Sequence, residues 1–186
     1  MTATTVTRSR GAPTLTVDPA HSLVEFAVKH MMITTVKGRL SDVTGAITLD
    51  EADPARSSVV VELAAASIDT RVEQRDQHLR SADFLDAENH PVIRFASRRI
   101  EGDVQGSFRI AGDLTIRGVT REVTLDAAYE GTGRDPWGNE KFSYSATAKI
   151  DRRDFGLTWN AALETGGVLV GNDVKISIEL QAVRAA

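Results

Sequence analysis

The sequence predicts an all-β protein: an eight-stranded antiparallel barrel with a short helical insert between its third and fourth strands. Three observations carry this. Apolar residues recur at every second position along most of the chain. Phe108, Ile110, Gly112, Leu114 and Ile116, for instance, are separated by Ser107, Arg109, Ala111, Asp113 and Thr115. Side chains alternate across a strand, so such a segment has one apolar face and one wet face. A single stretch between these segments switches to helical spacing. Finally, a set of eight strands can close on itself, which removes exposed edges and leaves an interior wide enough for one small ligand.

Residues 1–13 read as a disordered lead-in and 14–186 as a single barrel domain. The first strand is expected at 22–30, with Val24, Phe26, Val28 and His30 on one face and Glu25, Ala27 and Lys29 on the other. The second runs over 36–50 and is kinked around Gly38 and Gly45, since glycine tolerates a bulge. A turn at 51–56 contains Asp53-Pro54, and the third strand follows at 57–66. Thr70-Arg71-Val72-Glu73 matches a capping box, in which a Thr hydroxyl and a Glu carboxylate satisfy free backbone donors at a helix start. It predicts a helix over 71–80 with Val72 and Leu79 on one face and Arg75 and Asp76 on its flanks. A second turn at 81–87 presents Phe84 and Leu85, and Asn89-His90-Pro91 stops it. Further strands are expected at 92–100, 104–116, 119–129, 141–150 and 173–183. The tight Ile116–Val119 link makes a hairpin. Residues 131–140 form the longest turn-like stretch, in which Trp137 packs locally, and 151–171 shows no regular pattern.

Composition excludes several functions. The chain has 186 residues, enough for a sizeable core, and at 41% hydrophobic and 26% charged it reads as a soluble globule. A net charge of -4 with scattered basic residues argues against nucleic-acid binding. The absence of cysteine removes disulfides, thiolate catalysis and Cys-based metal sites. His21, His30, His78 and His90 lie on unrelated elements without metal-ligand spacing. There is no nucleophile elbow and no glycine loop before a helix to cradle phosphate. No metal, no cofactor and no enzymatic activity are therefore expected. No segment approaches the roughly 18 apolar residues of a membrane span, and residues 1–13 lack a signal-peptide apolar core. The expected protein is cytoplasmic and does not span a membrane. Curved barrel walls can pair, so a homodimer stays open, although no coiled-coil pattern or sticky strip demands one.

Several blocks, in order along nearly the whole chain after residue 15, resemble the YceI-like family. They are Asp18-Pro19-Ala20-His21-Ser22, Val24-Glu25-Phe26 with Val28-Lys29-His30, Ser67-Ile68-Asp69-Thr70, Arg75-Asp76-Gln77-His78-Leu79, Phe84, and Pro91 with Phe95. Gly112–Thr120 and Asp151-Arg152-Arg153-Asp154-Phe155-Gly156-Leu157 complete the set. The resemblance implies a lipocalin-like barrel that binds a polyisoprenoid or another long-chain lipid. Leu40 and Leu85 stand where that family often has Phe, a change that enlarges or reshapes a pocket.

The expected function is storage, transport or sequestration of a long apolar chain, such as a polyisoprenoid or fatty-acid derivative, in the barrel interior. Phe26, Val28, Phe95, Phe108 and Tyr144 are the wall candidates. Leu79 and Phe84 are placed near an entrance, and Phe155 and Trp159 plug one barrel end or line its mouth. His30, on an apolar face, is read either as a polar contact to the ligand or as a buried His bonded to a neighbouring strand. Arg75 and Asp76 are read as a latch holding the helix, with Arg75 alternatively meeting an anionic headgroup; His78 is a surface or latch residue. Two rival functions remain: a lipid-modifying enzyme that uses His30 with an acidic partner, and a solid-cored, ligand-free stress-response or interaction module.

Overall fold

A computed structural model describes residues 13–50, 52–164 and 166–184; apart from Pro13, the predicted lead-in lies outside them. The chain forms β1 (Thr14–Val17), β2 (Leu23–His30), β3 (Thr34–Leu40), β4 (Val43–Thr48), β5 (Ser58–Ala64) and β6 (Ile68–Asp69). Helix α1 (Glu73–Arg80) follows, then β7 (Val92–Gly102), β8 (Ser107–Ile116), β9 (Val119–Arg134), β10 (Glu140–Asp151) and β11 (Val170–Arg184). Eight strands close a ring in the order β1-β4-β5-β7-β8-β9-β10-β11, and β11 returns to β1. All described pairings are antiparallel, and β7 to β10 are joined by hairpins or short loops, while the long 152–169 segment joins β10 to β11.

The ring closes differently from the sequence expectation. The predicted second strand, 36–50, is two strands broken at Ser41-Asp42. β3 pairs with β2, whereas β4 leaves it to pair with β1 and β5. The glycines do not make the break. A Cβ at Gly38 would overlap the Phe26 ring, and one at Gly45 would sit 2.5 Å from the Val60 carbonyl oxygen, so both allow close approach. β1 was not predicted; four residues give too short an alternation to read. It matters because Leu15 pairs with both Arg184 and Ile47, joining the two ends of the sheet. Along β11, β1 and β2 lie end to end, with Ala182–Arg184 facing β1 and Val174–Glu179 facing β2.

One end of the barrel carries the β2–β3 turn, α1, the β8–β9 turn and the 152–169 segment; it is called here the helix end. The opposite end carries the 49–57, 103–106 and 135–139 connections. The predicted capping box does not form. The helix starts at Glu73 with Val72 at its N-cap and no side-chain cap, because the Thr70 hydroxyl is used by Asp76 instead. β9 and β10 run past the expected 131–140 loop, with a register shift at Ser143/Tyr144. The remaining turn is bound by the Asp135 carboxylate, which accepts from the Trp137 and Asn139 backbone N–H groups at 3.0 and 2.9 Å. Trp137 sits there but does not pack: it is 84% exposed. Val104, expected at a strand start, lies in the turn before β8 with its side chain buried.

Outward positions carry cross-strand ion pairs, among them Arg94–Glu62, Arg98–Asp113, Arg109–Asp126 and Lys149–Asp173. Exposed pairs contribute little each, but they make the outer wall a solvated surface. The β2–β3 turn is the exception. Its His30 carbonyl accepts from Ile33 N–H at 3.2 Å, and the two central residues, Met31 and Met32, have φ of 51° and 62°. Two positive φ angles are the geometry of a type I′ turn, for which Asn-Gly is the favoured pair. Bulky residues there cost about 1–2 kcal/mol each.

Candidate functional site

Inward-facing side chains stop short of the barrel axis and leave a cavity of about 850 Å³. Its wall takes residues from nearly every strand: Val59, Val61 and Leu63 of β5, Ile93 and Phe95 of β7, Phe108, Ile110, Leu114 and Ile116 of β8, and Val174, Ile176, Ile178 and Leu180 of β11. Alternation explains the regularity, since every second residue of these strands points to the axis. At the end opposite the helix, Leu15, Val17, Ile100, Val104 and Ala182 are each no more than 4% exposed, and none borders the cavity. The cavity therefore ends against that packed layer and runs toward the helix end.

At the helix end three rings meet. His78 stands edge-on to Phe84, with centroids 5.0 Å apart, and edge-on to Trp159 at 4.6 Å; Phe84 and Trp159 lie 5.3 Å apart. His78 is fixed by its Nε2, 2.8 Å from Asp83 Oδ2. Leu79 and Arg75, on the same helix, also border the cavity. The helix is tied down through Thr70. Its backbone N–H donates to Asp76 Oδ1 at 2.9 Å and its hydroxyl to the same oxygen, while Arg75 Nε donates to that hydroxyl at 2.7 Å. Arg75 and Asp76 thus both latch the insert, and Arg75 in addition faces the interior.

Trp159 is held from behind by Arg152, whose side chain sequence reasoning passed over. Arg152 is 4% exposed and donates to the carbonyls of Gly171 (2.9 Å), Leu157 (2.6 Å) and Trp159 (2.9 Å). Burial pulls its pKa below the usual guanidinium value, against the opposing charge of Asp151. Asp151 itself is held down at about 2 by its hydrogen bonds with Arg153. An Arg inside an irregular segment gives no periodic signal, so only its partners reveal its role.

Of the ten residues proposed from sequence, the structure brings nine to the cavity: Phe26, Val28, His30, Leu79, Phe84, Phe95, Phe108, Tyr144 and Trp159. Phe155 is elsewhere. It lies in the short 3-10 turn Arg152–Phe155, which packs against β9, β10 and β11, and is 1% exposed within the core. It joins the hydrophobic core cluster at that end of the barrel and does not border the cavity. The His30 side chain faces the interior and, among the described residues, makes no hydrogen bond to another protein group. Phe108 and Tyr144 meet edge-on, with centroids 6.5 Å apart, toward the end of the wall opposite the helix. Leu40 and Leu85 both border the cavity. Among the described residues, no group of three or more His, Asp or Glu side chains is placed to hold a metal ion.

Comparison with known proteins gives a consistent result. A family profile described as YceI-like domain matches residues 15–182. A UPF0312 protein of Serratia proteamaculans (strain 568) is 37% identical over 165 residues, covering 89% of this chain and 82% of its own length. The crystal structure of the Campylobacter jejuni YCEI protein superposes with a TM-score of 0.70 at 31% identity, covering 85% of this chain and 90% of that one. A polyisoprenoid binding domain from Saccharophagus degradans, implicated in plant cell wall breakdown, superposes at 0.67 over 94% of this chain and 99% of its own. Its 11% identity makes that a likeness of fold.

Proposed function

The chain belongs to the YceI-like family, and we propose that it stores, carries or sequesters a long-chain lipid, a polyisoprenoid or fatty-acid derivative, inside its barrel. Binding of an apolar ligand is what the fold and family support; the class of lipid rests on further arguments. The observation that carries the reading is the interior cavity of about 850 Å³, walled mostly by aliphatic and aromatic side chains. Such a space favours a chain over a compact polar molecule, because it offers few partners for buried donors or acceptors. The Saccharophagus degradans domain that shares this fold is a polyisoprenoid binder, which adds support for a prenyl tail.

The mechanism is burial. Each methylene that leaves water contributes roughly 0.8 kcal/mol, set against the ordering of the chain and the lost freedom of association. The tail would lie along Phe95, Phe108 and Leu180, and the polar end would sit near His30, Gln74, Arg75 and His78 at the helix end. Native mass spectrometry of freshly purified protein, followed by organic extraction and add-back of prenols and fatty acids of increasing length, tests this. A bound mass that extracts into solvent and is restored by a long chain is the expected result. Protein that never carries or takes up a long-chain lipid overturns the proposal.

A further inference from the structure

We propose that the β2–β3 hairpin tip, Met31-Met32-Ile33, is a docking finger that seats the mouth of the barrel on an anionic lipid bilayer. Met31 is 42%, Met32 57% and Ile33 75% exposed, and they are consecutive in a protein whose outer wall is otherwise laced with ion pairs. Their exposure is not a by-product of a comfortable turn. Met31 and Met32 occupy positive-φ positions that small polar residues fill more easily, so the backbone is strained to hold these apolar side chains outward.

Charge identifies the occupant. From Phe26 to Ser41 the sequence has no acidic residue, yet Lys29, Lys37 and Arg39 lie within it, in a chain of net charge -4. Arg39 is paired with Asp69. Lys29 and Lys37 are exposed on β2 and β3, Lys29 also bordering the cavity mouth, and among the described residues they have no carboxylate within ion-pairing distance. An apolar tip with two free ammonium groups just behind it matches the depth profile of a membrane surface: the side chains of the tip enter the acyl boundary and the lysines reach the phosphates.

The tip is also continuous with the cavity. His30, directly before it, borders the cavity, and Met31 N–H donates to the carbonyl of Leu169, another wall residue, at 2.8 Å. Val72, on the strand-to-helix connection beside β3, is 47% exposed while forming part of the same wall. A bilayer that accepted the tip would therefore lie next to the opening.

Flotation with vesicles of mixed phosphatidylcholine and phosphatidylglycerol tests the proposal. Wild-type protein floats with them, and less so as salt is raised. The double variant Met31→Asn/Met32→Gly floats roughly tenfold less or worse, the loss expected for two removed apolar anchors, while its melting temperature rises because Asn-Gly suits the turn. Lys29→Gln/Lys37→Gln floats less and loses the salt dependence. Ala127→Phe, which fills the cavity, still floats, so failure of the cargo reading and failure of the docking reading are told apart. Wild-type protein that ignores these vesicles, a Met31→Asn/Met32→Gly variant that floats undiminished, or a tip whose replacement only abolishes self-association of the protein overturns it.

Discussion

The Asp76 carboxylate and Thr70 are joined twice through one oxygen, Oδ1 accepting from both the Thr70 backbone N–H and its hydroxyl. Asp76 is 3% and Thr70 5% exposed, so neither donor has water to turn to. Asp76→Ala is expected to destabilise the fold by roughly 2–4 kcal/mol, the cost of leaving buried donors unmade. Urea unfolding with an unchanged m-value measures it; a loss below about 0.5 kcal/mol would mean the insert is held by its apolar contacts alone.

Arg152 plays the corresponding part for the other half of the mouth. Arg152→Met keeps the aliphatic stem but strips the Gly171, Leu157 and Trp159 carbonyls of their donor. Limited proteolysis is expected to cut within 156–169 at least tenfold faster, as local opening that is about 1.4 kcal/mol easier would allow. Protection equal to the wild type would show that the segment is fixed by other bonds.

Ala127 faces the cavity on β9, opposite Phe108 of β8 and Ala146 of β10. A Phe ring there enters empty space rather than occupied core, so its overpacking penalty stays below the usual 1–3 kcal/mol. Ala127→Phe should therefore leave the melting temperature nearly unchanged and weaken binding of a long-chain fatty acid by tenfold or more. Trp159 provides the readout: in a Trp137→Phe background it is the sole indole, and a chain seated at the mouth shifts its emission to the blue. Unchanged affinity in Ala127→Phe would place the ligand elsewhere.

Acid should loosen the protein in a defined window. Asp151 is lowered by Arg153 to about 2, and Asp18 by the hydrogen bond from Lys141 Nζ at 2.8 Å. Asp69 is lowered by the Arg71 backbone N–H and Asp135 by Asn139. Each folded-state pKa lies below the ordinary 3.8. The unfolded chain thus takes up protons first as pH falls. Stability from these groups is complete above that value and declines as pH drops from there toward about 2. Thermal melts across this range by circular dichroism check the sign: a midpoint that climbs on acidification contradicts it.

Alternation made the strands β2, β5 and β7 to β11 legible, because residues such as Phe108, Ile110 and Leu114 must repeat every second position to face one interior. It also put six of the ten proposed residues on the cavity wall, Phe26, Val28, His30, Phe95, Phe108 and Tyr144, whereas Leu79, Phe84 and Trp159 reach it from the helix and the irregular segments. What failed was set by tertiary partners. β1 is too short to show a period, and the break at Ser41-Asp42 exists because β4 must meet β1. Thr70 serves Asp76 rather than a helix cap, and Phe155 obeys a 3-10 turn that no pattern announced. Arg152 was invisible for a similar reason: its partners are carbonyls, which any sequence supplies.

The pairing of Leu15 with Arg184 has a consequence for how the molecule is made. The last stave of the barrel to be synthesised must find the first, so the cylinder cannot seal until β11 has left the ribosome. Until then β1 keeps a bare flank and the greasy interior stays open to water. Non-local closure of this kind is slow and exposes the chain to aggregation. Four residues near the amino end therefore decide when the nascent polypeptide stops being sticky.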